Sequence, residues 1–195
     1  KLDPVVGRED ELDNLESILC RRRKNNVVIV GEAGVGKTVL VEGLAQRIAS
    51  GNVPPSLRDA KIISLNVSDI MAGSKMRGDV EEKVTAIIEE VTQAENTILF
   101  IDEIHNIVAP GMPGSSSDIA SVLKPALTQG NFRCIGATTT EDYSAYFETD
   151  NALARRFHPL FLEELSIEST LGVLKVIRPL LEKHHNVRIS DEAIL

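Results

Sequence analysis

Residues 31–38, GEAGVGKT, place three glycines, a lysine and a hydroxyl in the spacing G-x-x-x-x-G-K-[ST]. The chemistry of such a stretch is anion binding. Gly31, Gly34 and Gly36 let successive backbone N–H groups curl around a phosphate, and the positive end of a helix dipole behind them adds to the attraction. Lys37 is then placed to reach the β- and γ-phosphates of a nucleoside triphosphate, and the Thr38 hydroxyl to bind Mg²⁺ beside them. A glycine-rich turn with no ligand is the plain alternative. The flanks argue against it: the apolar run VVIV (27–30) precedes and a helical pattern opens at Lys37, which is the context the motif requires.

A second stretch, ILFIDE (98–103), is an apolar strand ending in two acids. Asp102 at the strand end can hold Mg²⁺ through its water shell, and Glu103 can orient and deprotonate an attacking water. Solvated carboxylates at a strand end are common, but about 65 residues after a P-loop the pair is specific. No N-K-x-D guanine signature is present, which favours ATP over GTP. Further on, GATTT (136–140) offers Thr138 or Thr139 as a hydrogen-bond partner for the γ-phosphate or the water. In NALARRF (151–157), Arg155 and Arg156 stand side by side. Two readings of them are open: cations complementing a helix end, or arginines supplied in trans to a neighbour's nucleotide.

These residues need a frame. VVIV, KIISLNV (61–67), TILFID (97–102), FRCIGAT (132–138) and LFL (160–162) are short, apolar and largely β-branched. Between them, residues 37–50, 79–94 and 117–130 carry apolar positions at helical spacing. Alternating strands and helices predict an α/β domain with a five-stranded parallel sheet covered on both faces, its three most apolar strands inside. APGMPGSSS (109–117) predicts a loop. Beyond Glu164 the pattern is helical only, with Ser166 a plausible N-cap for 166–185. The expected division is a nucleotide-binding core over 1–165 and the beginning of a helical lid over 166–195.

Composition narrows the function. With 21 Lys+Arg against 29 Asp+Glu the net charge is −8, which gives no support to a protein that grips nucleic-acid backbone. Two cysteines, Cys20 and Cys134, lack metal-site spacing and suit free thiols in a reducing compartment. No apolar run approaches the ~18 residues that span a membrane. The chain opens on KLDPVVGRED without Met and closes on SDEAIL as a helix begins, so a fragment is expected. Residence is expected to be cytoplasmic, with an organellar matrix the alternative.

Taken in order, DPVVGR, CRRRKNN, GEAGVGKTVLVEGLAQRI, ILFIDEIH, LKPAL, IGATTTEDY and ALARRF resemble the first ATPase module of the Clp/heat-shock AAA+ unfoldases and disaggregases, which carry two such modules in tandem. The resemblance covers essentially the whole chain. It implies an AAA+ core in which the strand ending at Thr138 lies between the P-loop strand and the strand ending at Asp102, followed by a lid. It implies nucleotide contacts along Gly31, Glu32, Ala33, Gly34, Val35, Gly36, Lys37, Thr38 and Val39, and packing of Pro4, Val5 and Val6 on adenine. Thr38 and Asp102 are the implied Mg²⁺ ligands. Glu103 is the implied base, Thr138 the implied sensor, and Arg155 and Arg156 the implied arginine fingers. His105, so close to Glu103 in a strand, is expected to be structural.

The same resemblance explains SDIMAGSKMRGDVEEKV (68–84). The family's loop here reads roughly Ala-Gly-x-Lys-Tyr-Arg-Gly, lines the axial pore of a hexamer and grips the translocating polypeptide. Lys75, Arg77 and Gly78 match, but Met76 stands where the tyrosine belongs, and Val80 where phenylalanine is usual. Methionine is apolar and polarizable, and can touch varied side chains without a fixed ring plane. Pro110 and Met112 interrupt a second, usually Gly-rich pore loop. The implied activity is Mg²⁺-dependent ATP hydrolysis in a chaperone that threads unfolded or aggregated polypeptides. The full-length protein is expected to be a homohexamer and the fragment alone a monomer, with neither nucleic acid nor membrane as partner. The alternative is a nucleotide-gated module that holds the ring while another module pulls. An AAA+ protein that loads or opens DNA is weaker, given the charge and the lack of a basic helix after the core.

Overall fold

The computed structural model describes residues 4–66, 70, 77–94, 96–108, 117–130 and 132–194. Five strands form one sheet in the order β2-β3-β4-β1-β5, where β1 is Asn26–Val30, β2 Lys61–Leu65, β3 Thr97–Ile101, β4 Arg133–Thr138 and β5 Phe157–Phe161. Every pairing is parallel. The longer described helices are α1 (Glu9–Leu19), α2 (Lys37–Ser50), α3 (Arg77–Gln93), α4 (Ser117–Gln129) and α5 (Ile167–His185). The sheet is the one the alternating pattern predicts, with β4 inserted between β1 and β3.

Both faces of the sheet are packed, which is why its inner strands are continuous apolar runs rather than alternating ones. Val28, Val30, Leu99, Ile101 and Cys134 point to one face, against Val80, Val84 and Val91 of α3 and Ile119, Leu123 and Leu127 of α4. Val27, Ile29, Ile98, Phe100, Ile135 and Ala137 point to the other, against Leu12, Leu15, Ile18 and Leu19 of α1 and Leu40, Val41 and Leu44 of α2. Arg47 of α2 salt-bridges Asp13 and Glu16 of α1 at 2.6 and 2.9 Å, fixing the two helices side by side. Cys20 is exposed and Cys134 buried, both as free thiols, and burial pushes the Cys134 thiol up.

Two of the elements named above, α1 and β5, differ from the sequence expectation. Helix α1 was not among the expected elements, although its apolar positions lie three or four residues apart. Strand β5 begins at Phe157, earlier than LFL, because Pro159 does not interrupt it. As an edge strand pairing only with β1, β5 can spare the N–H that proline lacks. Helix α5 starts as expected, with the Ser166 hydroxyl accepting from the Ser169 amide.

One close approach governs how β3 ends. The Ile104 amide donates to the Ala137 carbonyl of β4 at 3.0 Å, folding the chain after Asp102 back over the neighbouring strand. Gly136 makes room for it: a Cβ there would lie 2.8 Å from Ile104 Cδ1 and 2.9 Å from its Cγ2. Ile104 is fully buried and cannot swing away. Gly136→Ala is therefore expected to lower unfolding stability by ~1–3 kcal/mol through overpacking. Urea denaturation followed by circular dichroism reads this as a lower midpoint, and an unchanged midpoint would show that Ile104 yields freely.

Candidate functional site

Strand register sets what meets at the sheet's C-terminal edge. Val30 pairs with Thr138, and Ile101 with Gly136, so the P-loop, the Asp102 turn and the end of β4 arrive together. They surround a cavity of about 410 Å³ lined by Gly34, Gly36, Lys37 and Thr38 from the loop, by Asp102, Glu103 and His105, and by Thr138 and Thr139. Ala33, Val39 and Ala137 complete the wall. The remaining expected loop positions, Gly31, Glu32 and Val35, are not on that wall.

The loop's backbone explains its residues. Gly36 has φ +100°, a left-handed conformation that side chains resist, and forms the N-terminal boundary of α2. At Gly31 the limit is space, since a Cβ would sit 2.5 Å from the Leu162 carbonyl oxygen. Lys37 Nζ donates to the carbonyls of Gly31 (2.7 Å) and Glu32 (2.9 Å), which holds the ammonium at the loop.

Thr38 Oγ1 donates to Asp102 Oδ2 at 3.1 Å, across 64 residues of sequence. A hydroxyl and a carboxylate, both hard oxygen donors, are thus adjacent beneath the loop, and the set fits Mg²⁺. Glu103 has φ +47°, a left-handed value that costs a non-glycine residue ~1–2 kcal/mol. Its amide donates to Asp102 Oδ1 at 3.0 Å, and its Oε2 accepts from Asn106 Nδ2 at 3.2 Å. The conformation turns the carboxylate out of the strand line and into the cavity wall.

The two threonines separate. Thr139 caps the turn that follows, donating to Asp142 Oδ2 at 2.6 Å and accepting from the Asp142 amide at 3.1 Å. Thr138 is buried and its Oγ1 lies 3.1 Å from His105 Nδ1. The expectation that His105 is merely structural assumed strand geometry. The strand has in fact ended at Ile101, and His105 opens a short helix, His105–Val108, that swings its ring onto Thr138 and the cavity. Arg8 also drew no expectation. It is buried at 6% exposure and donates to the Val35 carbonyl of the P-loop (2.9 Å) and to the Glu163 carbonyl after β5 (2.7 Å). A cation at the start of a helix, where the dipole disfavours it, is the one sequence signal that could have found it.

Arg155 and Arg156 stand at the opposite edge of the sheet. Phe157, the next residue, pairs with Asn26 at the start of β1, whereas the P-loop follows its end. At ~3.3 Å per residue they lie ~20 Å below their own cavity, beyond the reach of an arginine. Both are exposed, and among the described residues neither forms an ion pair. The turn that carries them is anchored: Asp150 accepts from the amides of Ala152 and Leu153 and pairs with Lys124 of α4 at 2.6 Å. That lysine holds the Asp150 carboxyl below its ordinary range.

Pro4 is exposed and Val5 and Val6 half-buried, outside the cavity wall; Val5 packs where a Cβ on Gly43 of α2 would be 3.1 Å from its Cγ2. Lys75 and Met76 lie outside the described residues, as do Pro110 and Met112, while Arg77 and Gly78 begin α3. Among the described residues no group of three or more His, Cys, Asp or Glu could hold a metal by itself, and no helix is long and apolar enough to cross a membrane.

Residues 27–164 match the ATPase family associated with various cellular activities (AAA). The chaperone protein ClpB of Aquifex aeolicus (strain VF5) is 53% identical over 194 residues, covering all of this chain and 19% of that protein. Among solved structures, the Saccharomyces cerevisiae Hsp104–ADP complex superposes with a TM-score of 0.89 at 42% identity, over 100% of this chain and 33% of that one. The S. cerevisiae Hsp104:casein complex in its extended conformation gives 0.86 at 42%, over 97% and 32%. The chain thus spans about a fifth of the length of the curated relative. A parallel sheet in this strand order, a P-loop over a Thr–Asp pair and a family match across the whole core have one meaning: the chain belongs to the AAA family of ATPases.

Proposed function

We propose that this chain binds and hydrolyses ATP as one module of a hexameric chaperone that unfolds or disaggregates proteins by threading them through a central pore. The observation that carries the reading is the meeting of Lys37, the Thr38–Asp102 pair, Glu103 and Thr138 on one cavity. The relatives support the rest: one is a ClpB chaperone, and Hsp104 is seen with ADP and with casein.

In mechanism, the loop amides and Lys37 bind the β- and γ-phosphates, and Gly34 and Gly36 leave the backbone open to them. Thr38 and Asp102 would hold Mg²⁺, which when bound withdraws charge from the phosphate oxygens. Glu103 leaves Asn106 to take a proton from the attacking water, and Thr138 donates to the γ-phosphate or that water. Arg155 and Arg156 act on the cavity of the next subunit, because their own is out of reach. Met76, between Lys75 and Arg77, contacts the polypeptide.

A second reading keeps nucleotide binding but gives the module an assembly role. Methionine in place of the pore-loop tyrosine favours it, since a thioether grips less firmly than a ring. Steady-state ATP turnover of the full-length parent, with its other module disabled, separates the two. Stimulation by an unfolded polypeptide that Met76→Ala abolishes supports threading, and turnover indifferent to both supports assembly.

Three variants test the site. Lys37→Ala is expected to weaken ATP binding at least tenfold by calorimetry, and unchanged affinity would count against the phosphate cradle. Glu103→Gln should bind ATP normally yet turn over ~10² times more slowly; undiminished turnover would remove Glu103 from its role. A double Arg155→Ala, Arg156→Ala protein should be nearly inactive but recover turnover when mixed with Glu103→Gln chains, whose arginines are intact. No recovery in mixed rings would mean that the arginines do not work across a subunit boundary.

A further inference from the structure

His105 is the one titratable side chain on the cavity wall to which the proposed mechanism assigns no task. Its surroundings constrain it closely. Nδ1 lies 3.1 Å from Thr138 Oγ1 and 3.4 Å from Asp142 Oδ2, and the ring is only 14% exposed. Asp142 in turn accepts the Thr139 hydroxyl hydrogen on the same Oδ2, at 2.6 Å. An ionised carboxylate only accepts hydrogen bonds, so the nitrogen facing it is favoured as a donor. If Nδ1 carries the hydrogen, Thr138 Oγ1 must be the acceptor in the contact between them. Its own hydroxyl hydrogen is then left for another acceptor, and Thr138 lines the cavity. The opposite tautomer would let Thr138 spend that hydrogen on the ring, and the hydroxyl would offer the cavity only lone pairs, which an anion repels.

We propose that His105 is a positioning residue: with Asp142 holding the hydrogen on Nδ1, it donates to Thr138 Oγ1 and keeps the Thr138 hydroxyl as a hydrogen-bond donor to the γ-phosphate. The inference rests on the reading of this cavity as an ATP site. A chain of three elements carries it, from the end of β4 through the His105–Val108 helix to the turn capped by Thr139. The contact distinguishes ATP from ADP, because only the γ-phosphate can receive that hydrogen. The loop amides and Lys37 hold the phosphates that the two nucleotides share, so His105 governs turnover and not general nucleotide affinity.

The test replaces His105 in the full-length protein by two amides of different length. Asparagine sets its N–H₂ near the position of Nδ1, and glutamine sets it near that of Nε2. His105→Asn is expected to keep kcat for ATP within about threefold, whereas His105→Gln loses tenfold or more. In both, the affinity for a fluorescent ADP analogue should stay within twofold. Equal kcat in the two variants would overturn the proposal, as would a His105→Gln defect that appears in ADP affinity as strongly as in kcat. A His105→Leu protein, compared at matched melting temperature, must be at least as slow as His105→Gln; full turnover by it refutes the role. Absence of ATP binding by the unsubstituted protein would instead sink the reading of the cavity itself, so the two failures are told apart.

Discussion

The register of β1, β4 and β3 is the constraint on which the rest of the molecule depends. Val30 opposite Thr138 and Ile101 opposite Gly136 bring three chain segments to one edge at matched heights. Side chains in a strand alternate faces, so a slip of one residue would send Thr138 and the core positions of β4 to the wrong side. Several contacts oppose that slip. The buried Asn26 side chain accepts from the Cys134 amide at 3.0 Å at the lower end of the β1–β4 pair. At the upper end the Gly31 amide donates to the Thr138 carbonyl at 3.2 Å, and the Leu162 amide to the Val30 carbonyl at 2.7 Å. The end of β1 and the first residue of the loop are therefore fixed to both neighbouring segments by backbone bonds before any ligand contributes.

How far the sequence reveals this differs by scale. Strand and helix periodicity, together with the P-loop motif, suffices for the sheet and for the elements that surround the cavity, because each is a local pattern. The strand order follows only from the resemblance, since no residue in β4 says that it lies between β1 and β3. Contacts made across long separations were out of reach. Arg8 serves carbonyls 27 and 155 residues away. His105 meets Thr138 only because the chain turns at Glu103 into a left-handed conformation that a strand reading does not allow. Pro159 misled in the other direction, as its effect depends on β5 being an edge.

Arg8 shows how distant parts of the fold are held to a common geometry. Its guanidinium, paired with Glu11 at 2.7 Å, joins the start of α1, the P-loop at Val35 and the segment between β5 and α5 at Glu163. A buried guanidinium with its donors on carbonyls is costly to rearrange, since moving one partner strands a charged donor away from water. A shift of the P-loop is therefore felt at Glu163, just ahead of α5. Helix α5 itself buries none of its residues, and Ile167 is 83% exposed. The core thus holds the start of this helix through backbone and Arg8 rather than through an apolar seam along its length.

Charge gives the cavity its limits. The formally charged side chains on its wall are one cation, Lys37, and two acids, Asp102 and Glu103. That sum is negative, in a chain already at −8. A polyphosphate cannot be held there by side-chain charge alone. The loop amides and the dipole of α2 supply part of the deficit, and the Thr38–Asp102 pair can recruit a divalent cation for another part. The chain's own paired arginines cannot contribute, because the sheet carries them to its far edge, exposed and without ion pairs among the described residues. A site short of positive charge and a surplus of it on the opposite edge are complementary between two copies of the same chain. On the proposed reading, two copies stacked head to tail would each supply what the other lacks, an arrangement that closes into a ring when the rotation between copies permits.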